Sequence, residues 1–436
     1  MLRIAAMLSA VTLMLICSAA GRAEILPTGG RDLLNESQMV SMQAYMLEKR
    51  FDGWVFSGQG TFDDPEKEFL GLNGQTRWRW VIFYPALATL SKPYLVYHRD
   101  DEPVFSGINF YPLPYRSRDE MLSLIKDNFS PVAKKICLNY SHQLQIPELS
   151  RIDGGLLELL VSQGFEVISS GSILSFFNTR WRTSDVETHK QAAARLDSLR
   201  PGITAYLSER VSKGKKVTDY DLVKYIGKQL KKLGLEEKSA PAVAVGENTL
   251  LEHYVPDKKK ARPVARGDLI YVEVSARLLK KPESMYARLG WTFLVEEEVP
   301  DSLAENWNSI VASAEEALAI LNRHLPKNKS LRGYQVDQAA RGRLGGNPHL
   351  LPRPLGSNLN PYDHHFGVRF DSYLAYDDRE IMPGMGFTLE PGLYFFKNHY
   401  ALRMCANLVT EGDSSIYLSA PLQQAIEAVL ANTGLR

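Results

Sequence analysis

The sequence is short of cysteine, of net charge and of long apolar runs, and each shortage narrows the field. Three cysteines in 436 residues cannot build the disulfide framework that staples small secreted domains. Fifty-one basic side chains face 50 acidic ones, for a formal net charge of +1. A polyanion-binding surface usually leaves a strong basic bias, so no nucleic-acid partner is implied. Internal repeats and low-complexity tracts are absent as well. The one long uncharged stretch runs from Ile4 to Ala20, behind Arg3. Gly21 and Ala23 follow at the spacing of a signal-peptidase site, so residues 1–23 are expected to be an export signal. The mature chain would then be periplasmic or secreted and no longer tied to a membrane. An uncleaved anchor is the alternative, although the run falls short of the about 20 apolar residues of a spanning helix. The large Ile16 before Cys17 argues against lipidation there. Cys137 and Cys405 remain, and are expected as two separate buried thiols.

What is present is an ordinary globular composition, 44% apolar and 23% charged, long enough for two domains. Residues 24–178 alternate helical stretches ("SQMVSMQAYMLEKR", "RDEMLSLIKDNF") with apolar strand-like runs ("RWVIFYPALATL", "PYLVYHR", "FEVISS"), an α/β pattern. The texture changes near residue 179. Ser184 and Glu187 have the spacing of a capping box opening a long amphipathic helix. Helices ("DYDLVKYIGKQLKKLG", "ENWNSIVASAEEALAILNRHL") and strands ("DLIYVEVSARL", "WTFLV", "GFTLEPGLYFF", "NLVT") follow to residue 436. The basic stretch "PDKKKARPVARGD" reads as a solvated loop. In "GMGFTLEPGLYF" the carboxylate of Glu390 is carried inward by an apolar strand and followed by a turn at Pro391-Gly392.

Read in order, "LLEHYVPD", "RGDLIYVEVSARL", "YARLGWTFLV", "PGMGFTLEPGLYF" and "ALRMCANLVT" resemble the strand motifs of the M24 peptidases, the creatinase or "pita-bread" family of Xaa-Pro aminopeptidases and prolidases. "TRWRWVIFYPA" and "IPELSRIDGGLLELL" resemble the N-terminal domain of its bacterial Xaa-Pro branch. The resemblance implies an α/β (α+β) chain with a creatinase-type N-terminal domain over 24–178 and a pita-bread domain over 179–436.

In active relatives two divalent ions, held by two Asp, one His and two Glu, activate a water. Such ions need hard oxygen donors, an imidazole and open coordination positions. Carried over residue by residue, the first Asp becomes Glu273, the second Arg288 and the last Glu becomes Cys405, whereas Glu390 is retained. Two registers are open for the histidine. One puts Ser357 at the metal position and makes His364 the substrate-side histidine; the other makes His364 the metal ligand. His253 matches the family's other substrate-side histidine. Arg288 is expected to neutralise Glu273 and Glu390 in the metal's stead, because two interior carboxylates without a cation are costly and a guanidinium engages carboxylates through a planar fork.

The expected function is therefore an exported pseudopeptidase with no cofactor that binds a peptide or protein, with a homodimer implied by the resemblance. One alternative is an active aminopeptidase or prolidase using Mn, Co or Zn on Glu273, His364 and Glu390. Another is a metal-independent, creatinase-like hydrolase in which His253 and His364 do acid–base work. The tract Asp363-His364-His365 is a poor chelator, since neighbours on an extended chain point to opposite faces. Asp377-Asp378 is expected to be structural.

Overall fold

The computed structural model describes residues 36–61, 74–86, 92–252, 254–327, 330–345, 351–359, 367–411 and 416–430. The expected signal, His253 and the tract 363–365 with His364 lie outside these residues. The chain divides into two compact units, Met1–Asn178 and Thr179–Arg436.

The first unit contains helix α1 (Glu36–Glu48), strands β1 (Gly53–Thr61), β2 (Gln75–Pro85), β3 (Tyr94–His98) and β4 (Tyr111–Tyr115), helix α2 (Arg118–Phe129), strand β5 (Lys135–Leu138), helix α3 (Gly154–Ser162), strand β6 (Glu166–Ser169) and helix α4 (Gly171–Asn178). Its strands form one mixed sheet in the order β4-β3-β2-β1-β5-β6, antiparallel from β3 to β1 and parallel at both edges. Val55, Phe83 and Ile136 of the sheet pack with Ile125, Phe129 and Leu160 of the helices. Ser117 caps α2 by accepting the Glu120 amide, and Asp153 caps α3 by accepting that of Leu156, as short polar residues at that position do.

The second unit opens with helices α5 (Thr183–Asp197), α6 (Leu199–Ser212) and α7 (Asp219–Lys232), followed by strands β7 (Leu235–Glu237), β8 (Ala242–Val245), β9 (Leu269–Leu278) and β10 (Ala287–Leu294). Then come helices α8 (Asp301–His324) and α9 (Gly333–Arg341). The remaining strands are β11 (Gly356–Leu359), β12 (Arg369–Phe370), β13 (Gly386–Leu389), β14 (Gly392–Phe395), β15 (Tyr400–Arg403), β16 (Ala406–Thr410), β17 (Ile416–Leu418) and β18 (Glu427–Ala428). One sheet runs β18-β10-β9-β7, with β8 also on β9; a second runs β12-β11-β13-β16-β17; β14 and β15 form a separate pair. Backbone hydrogen bonds between Gly290 of β10 and Cys405, 2.8 and 3.1 Å, link the first two sheets. The inner faces of α5, α6 and α7 cover β9 and β10, while α8 packs Trp307, Ile310 and Leu321 against Phe387, Leu389 and Leu408.

Two local expectations are corrected. The box opening α5 is not made by Ser184 and Glu187. The helix begins at Thr183, and the Asp185 carboxylate accepts both the Arg182 amide (2.8 Å) and the Arg182 guanidinium (3.0 and 3.1 Å). "GFTLEPGLYFF" is not one strand: Pro391 cannot donate to a ladder, so pairing stops at Leu389 and resumes at Gly392 in a different sheet. Asp377 is fully buried, pairs with Arg379 at 2.5 Å and accepts the Arg369 amide at 2.7 Å, which is a structural role.

Candidate functional site

Strand β9 is apolar along nearly its whole length, LIYVEVSARL, and the single carboxylate within it is buried, 7% exposed. Tyr271 and Glu273, two residues apart, share a face, and the Tyr271 hydroxyl donates to Glu273 Oε2 at 2.6 Å. Antiparallel pairing sets Glu273 opposite Gly290 and Ser275 opposite Arg288. Arg288 is thus the diagonal neighbour of Glu273, within reach of a long side chain. Its Nε donates to Glu273 Oε1 at 2.8 Å, with Nη2 2.6 Å from the same oxygen. Gly290 matters here because a Cβ at that position would collide with the Tyr271 hydroxyl and come within 3.0 Å of the Cys405 Cβ.

The second sheet supplies the other carboxylate. Glu390 follows the last residue of β13, with its amide bonded to the Leu355 carbonyl at 2.6 Å. Arg288 Nη1 lies 3.3 Å from Glu390 Oε1, so one guanidinium bridges both glutamates. Glu390 Oε2 accepts from Arg353 Nη2 at 2.5 Å, and Arg353 Nη1 donates to the Tyr394 hydroxyl at 2.7 Å. Arg403, at the end of β15, places Nη2 3.9 Å from Glu273 Oε2 and donates from Nη1 to the Leu251 carbonyl at 3.1 Å. Its guanidinium carbon sits 4.1 Å over the Tyr271 ring, a cation–π contact.

Burial pushes both carboxyls up, and the guanidiniums more than reverse it. Arg288, then Arg403 and the Tyr271 hydrogen bond, bring Glu273 down to about 2. Glu390 is lowered by Arg288 and Arg353 against burial and the repulsion of Glu273. Both are therefore charged at neutral pH. Burial, with Glu390 and Glu273 nearby, pushes the Cys405 thiol well above its ordinary value. A protonated thiol is neither a metal ligand nor a nucleophile.

The structure brings Glu273, Arg288, Glu390 and Cys405 together. The Cys405 sulfur, however, is 3.3 Å from the Arg288 carbonyl and turned to the backbone. The Ser357 hydroxyl is 3.1 Å from that of Thr388, an uncharged pair on β11 and β13. A dinuclear metal centre needs oxygen or imidazole donors converging on a space open to ions and water. Between Glu273 and Glu390 that space holds the Arg288 guanidinium, and among the described residues no trio of His, Cys, Asp or Glu is placed to hold a metal. The described residues do not fit such a centre.

Sequence reasoning missed Arg353 and Arg403. Each is 4% exposed, and together with Arg288 they set three guanidiniums against two buried carboxylates. The available signals were an arginine inside the apolar "LLPRPLG" and another at the end of a strand reading "YALR". Among the described residues Glu252, 3.7 Å from Arg353 Nη1 and half exposed, is a third carboxylate of the cluster.

Solved structures of similar fold include the dipeptidase PepE of Mycobacterium ulcerans, 17% identical over 90% of this chain and 96% of that one, with a TM-score of 0.58. A prolidase of Thermococcus sibiricus is 16% identical over 90% and 98%, at 0.51. The N-terminal domain of the FACT complex subunit SPT16 from chickpea, Cicer arietinum, is 12% identical over 90% and 98%, at 0.56. At such identities the likeness is one of fold. None of the curated proteins compared with the chain matches it. The sequence model of metallopeptidase family M24 matches residues 186–411, a span that contains every member of the cluster from Leu251 to Cys405. This chain belongs to metallopeptidase family M24.

Proposed function

We propose that this protein is an exported pseudopeptidase of the M24 family, which binds a peptide or a protein segment where its enzymatic relatives cut one. The observation that carries the reading is the bridging guanidinium of Arg288, 2.6 Å from one glutamate and 3.3 Å from the other. It replaces the charge of a metal without its chemistry, since a guanidinium cannot lower the pKa of a bound water towards neutrality as a divalent ion does. Supporting it is the neutral thiol at Cys405 where the family has a ligand glutamate; in the register that puts Ser357 at the metal-histidine position, a hydroxyl replaces a second ligand. The resemblance to dimeric relatives makes a homodimer part of the proposal, and the leader-like residues 1–23 make export part of it.

The test is turnover of Xaa-Pro dipeptides by the wild type and by the triple variant Arg288→Asp, Ser357→His, Cys405→Glu, each with Mn, Co or Zn. The wild type is expected to be inert. Wild-type cleavage that the triple variant does not improve overturns the reading. N-terminal sequencing of the cell-derived protein checks export: a mature chain starting at Glu24 is expected.

A further inference from the structure

A cavity of about 630 Å³ opens in the first unit beside β3. Leu95 and Tyr97, two residues apart on that strand, share the face that forms part of its lining, and the buried rings of Phe105 and Phe110 belong to it as well. Another wall is the 3-10 turn Arg99–Phe105. With three residues per turn, Arg99, Glu102 and Phe105 fall on one side of it, and all three line the cavity. The buried Asp101 carboxylate accepts the Arg77 and Trp78 amides of β2 at 2.9 and 2.8 Å. The turn is thereby tied to the sheet and the cavity is built in advance of any ligand, which lowers the cost of binding one.

The polar groups around this cavity are not engaged by the protein. Among the described residues neither the Arg99 guanidinium nor the Glu102 carboxylate has a hydrogen bond or an ion pair, although they stand one turn apart. The Tyr97 hydroxyl has no partner there either, on a residue only 4% exposed. Burial and the nearby Glu102 raise the pKa of that phenol, against Arg99, so it remains a donor at neutral pH. Asp100, the other acid of the lining, lies against His98, 3.6 Å from Nδ1. A simple anion would be repelled by Glu102 and a simple cation by Arg99. An uncharged apolar body would desolvate all three groups without giving them partners, which is costly.

We infer that this cavity binds a free aromatic amino acid as the zwitterion, its carboxylate on Arg99 and the Tyr97 hydroxyl, its ammonium on Glu102 and its ring among Leu95, Phe105 and Phe110. A guanidinium holds a carboxylate through two parallel charge-assisted hydrogen bonds, and aromatic rings pack on one another with a gain beyond the area they bury. The size of the cavity and its few polar groups beside apolar walls are those of a small-molecule site. The inference does not depend on the pseudopeptidase proposal.

The experiment is a saturation-transfer NMR titration of the purified full chain with L-phenylalanine, with 3-phenylpropanoate, which lacks the ammonium, and with phenethylamine, which lacks the carboxylate. Phenylalanine is expected to bind saturably, and each truncated form at least about tenfold more weakly, the loss of a hydrogen-bonded charged group. Glu102→Gln and Arg99→Gln, both at exposed positions, are each expected to weaken phenylalanine by a similar factor. The first should not weaken 3-phenylpropanoate, nor the second phenethylamine. Absence of saturable phenylalanine binding overturns the inference, as does binding of either truncated form as tight as that of phenylalanine. Phenylalanine binding untouched by both substitutions overturns its placement in this cavity.

Discussion

Replacing Arg288 with methionine keeps an apolar stem of similar reach and removes the charge. The two contacts to Glu273 at 2.6 and 2.8 Å and the one to Glu390 at 3.3 Å disappear together. Glu390 keeps Arg353 at 2.5 Å, whereas among the described residues Glu273 keeps as direct partners Arg403 at 3.9 Å and the Tyr271 hydroxyl. Glu273 is thus the group that suffers. Its carboxyl falls from an ordinary 4.5 to about 2 in the folded protein, which corresponds to about 3 kcal/mol of stability at neutral pH. Removing one partner of a buried pair costs about 3–5 kcal/mol. At roughly 2–4 °C per kcal/mol for a unit of this size, the variant should melt about 6–12 °C below wild type at pH 7. The sign of the pH dependence follows from a depressed folded pKa. The stabilisation is complete above the unfolded value near 4.5 and drains away as pH falls through about 2. The gap between wild type and variant should therefore narrow below pH 5, as urea unfolding at stepped pH would show. An Arg288→Met protein as stable as wild type at pH 7, or a gap that stays constant down to pH 3, would refute the ion-pair account.

Two further expectations concern the neighbours. Gly290→Ala should push the Tyr271 hydroxyl off Glu273 and strain the Gly290–Cys405 junction, costing about 1–3 kcal/mol as overpacking does; an unchanged Tm would contradict the close approach. Cys137 and Cys405 are both buried free thiols, and burial raises the pKa of each. Neither should react with an aromatic disulfide reagent at pH 8 until denaturant is added, as peptide mapping can follow. Rapid native labelling of Cys405 would mean a thiolate exists in the site.

Much of the site was legible because strands expose their logic in sequence. Glu273 and Arg288 are singled out through the resemblance to the family's metal positions and paired by the cost of uncompensated interior carboxylates, and the antiparallel pairing of β9 and β10 makes them diagonal neighbours. Glu390 announced itself through the proline that ends its strand. The arginines that complete the cluster were not legible for a physical reason. Arg353 sits between two prolines, outside any regular strand pattern, and its partner lies 37 positions away. Arg403 meets the Leu251 carbonyl across 152 positions. The Leu355–Glu390 backbone bond brings the first pair of segments together, and the Ala401 amide donating to the Thr249 hydroxyl brings the second. The start of α5 was misread because an arginine–aspartate pair took the part usually played by a serine and a glutamate. His253 and His364, the latter's role turning on register, fall outside the described residues.

The claim that Arg288 stands in for a metal is tested most directly by elemental analysis of the purified mature protein after incubation with manganese, cobalt or zinc and desalting. The account predicts no retained ion. Retention of one or two equivalents per chain would mean that the guanidinium yields its place between Glu273 and Glu390, and would contradict it.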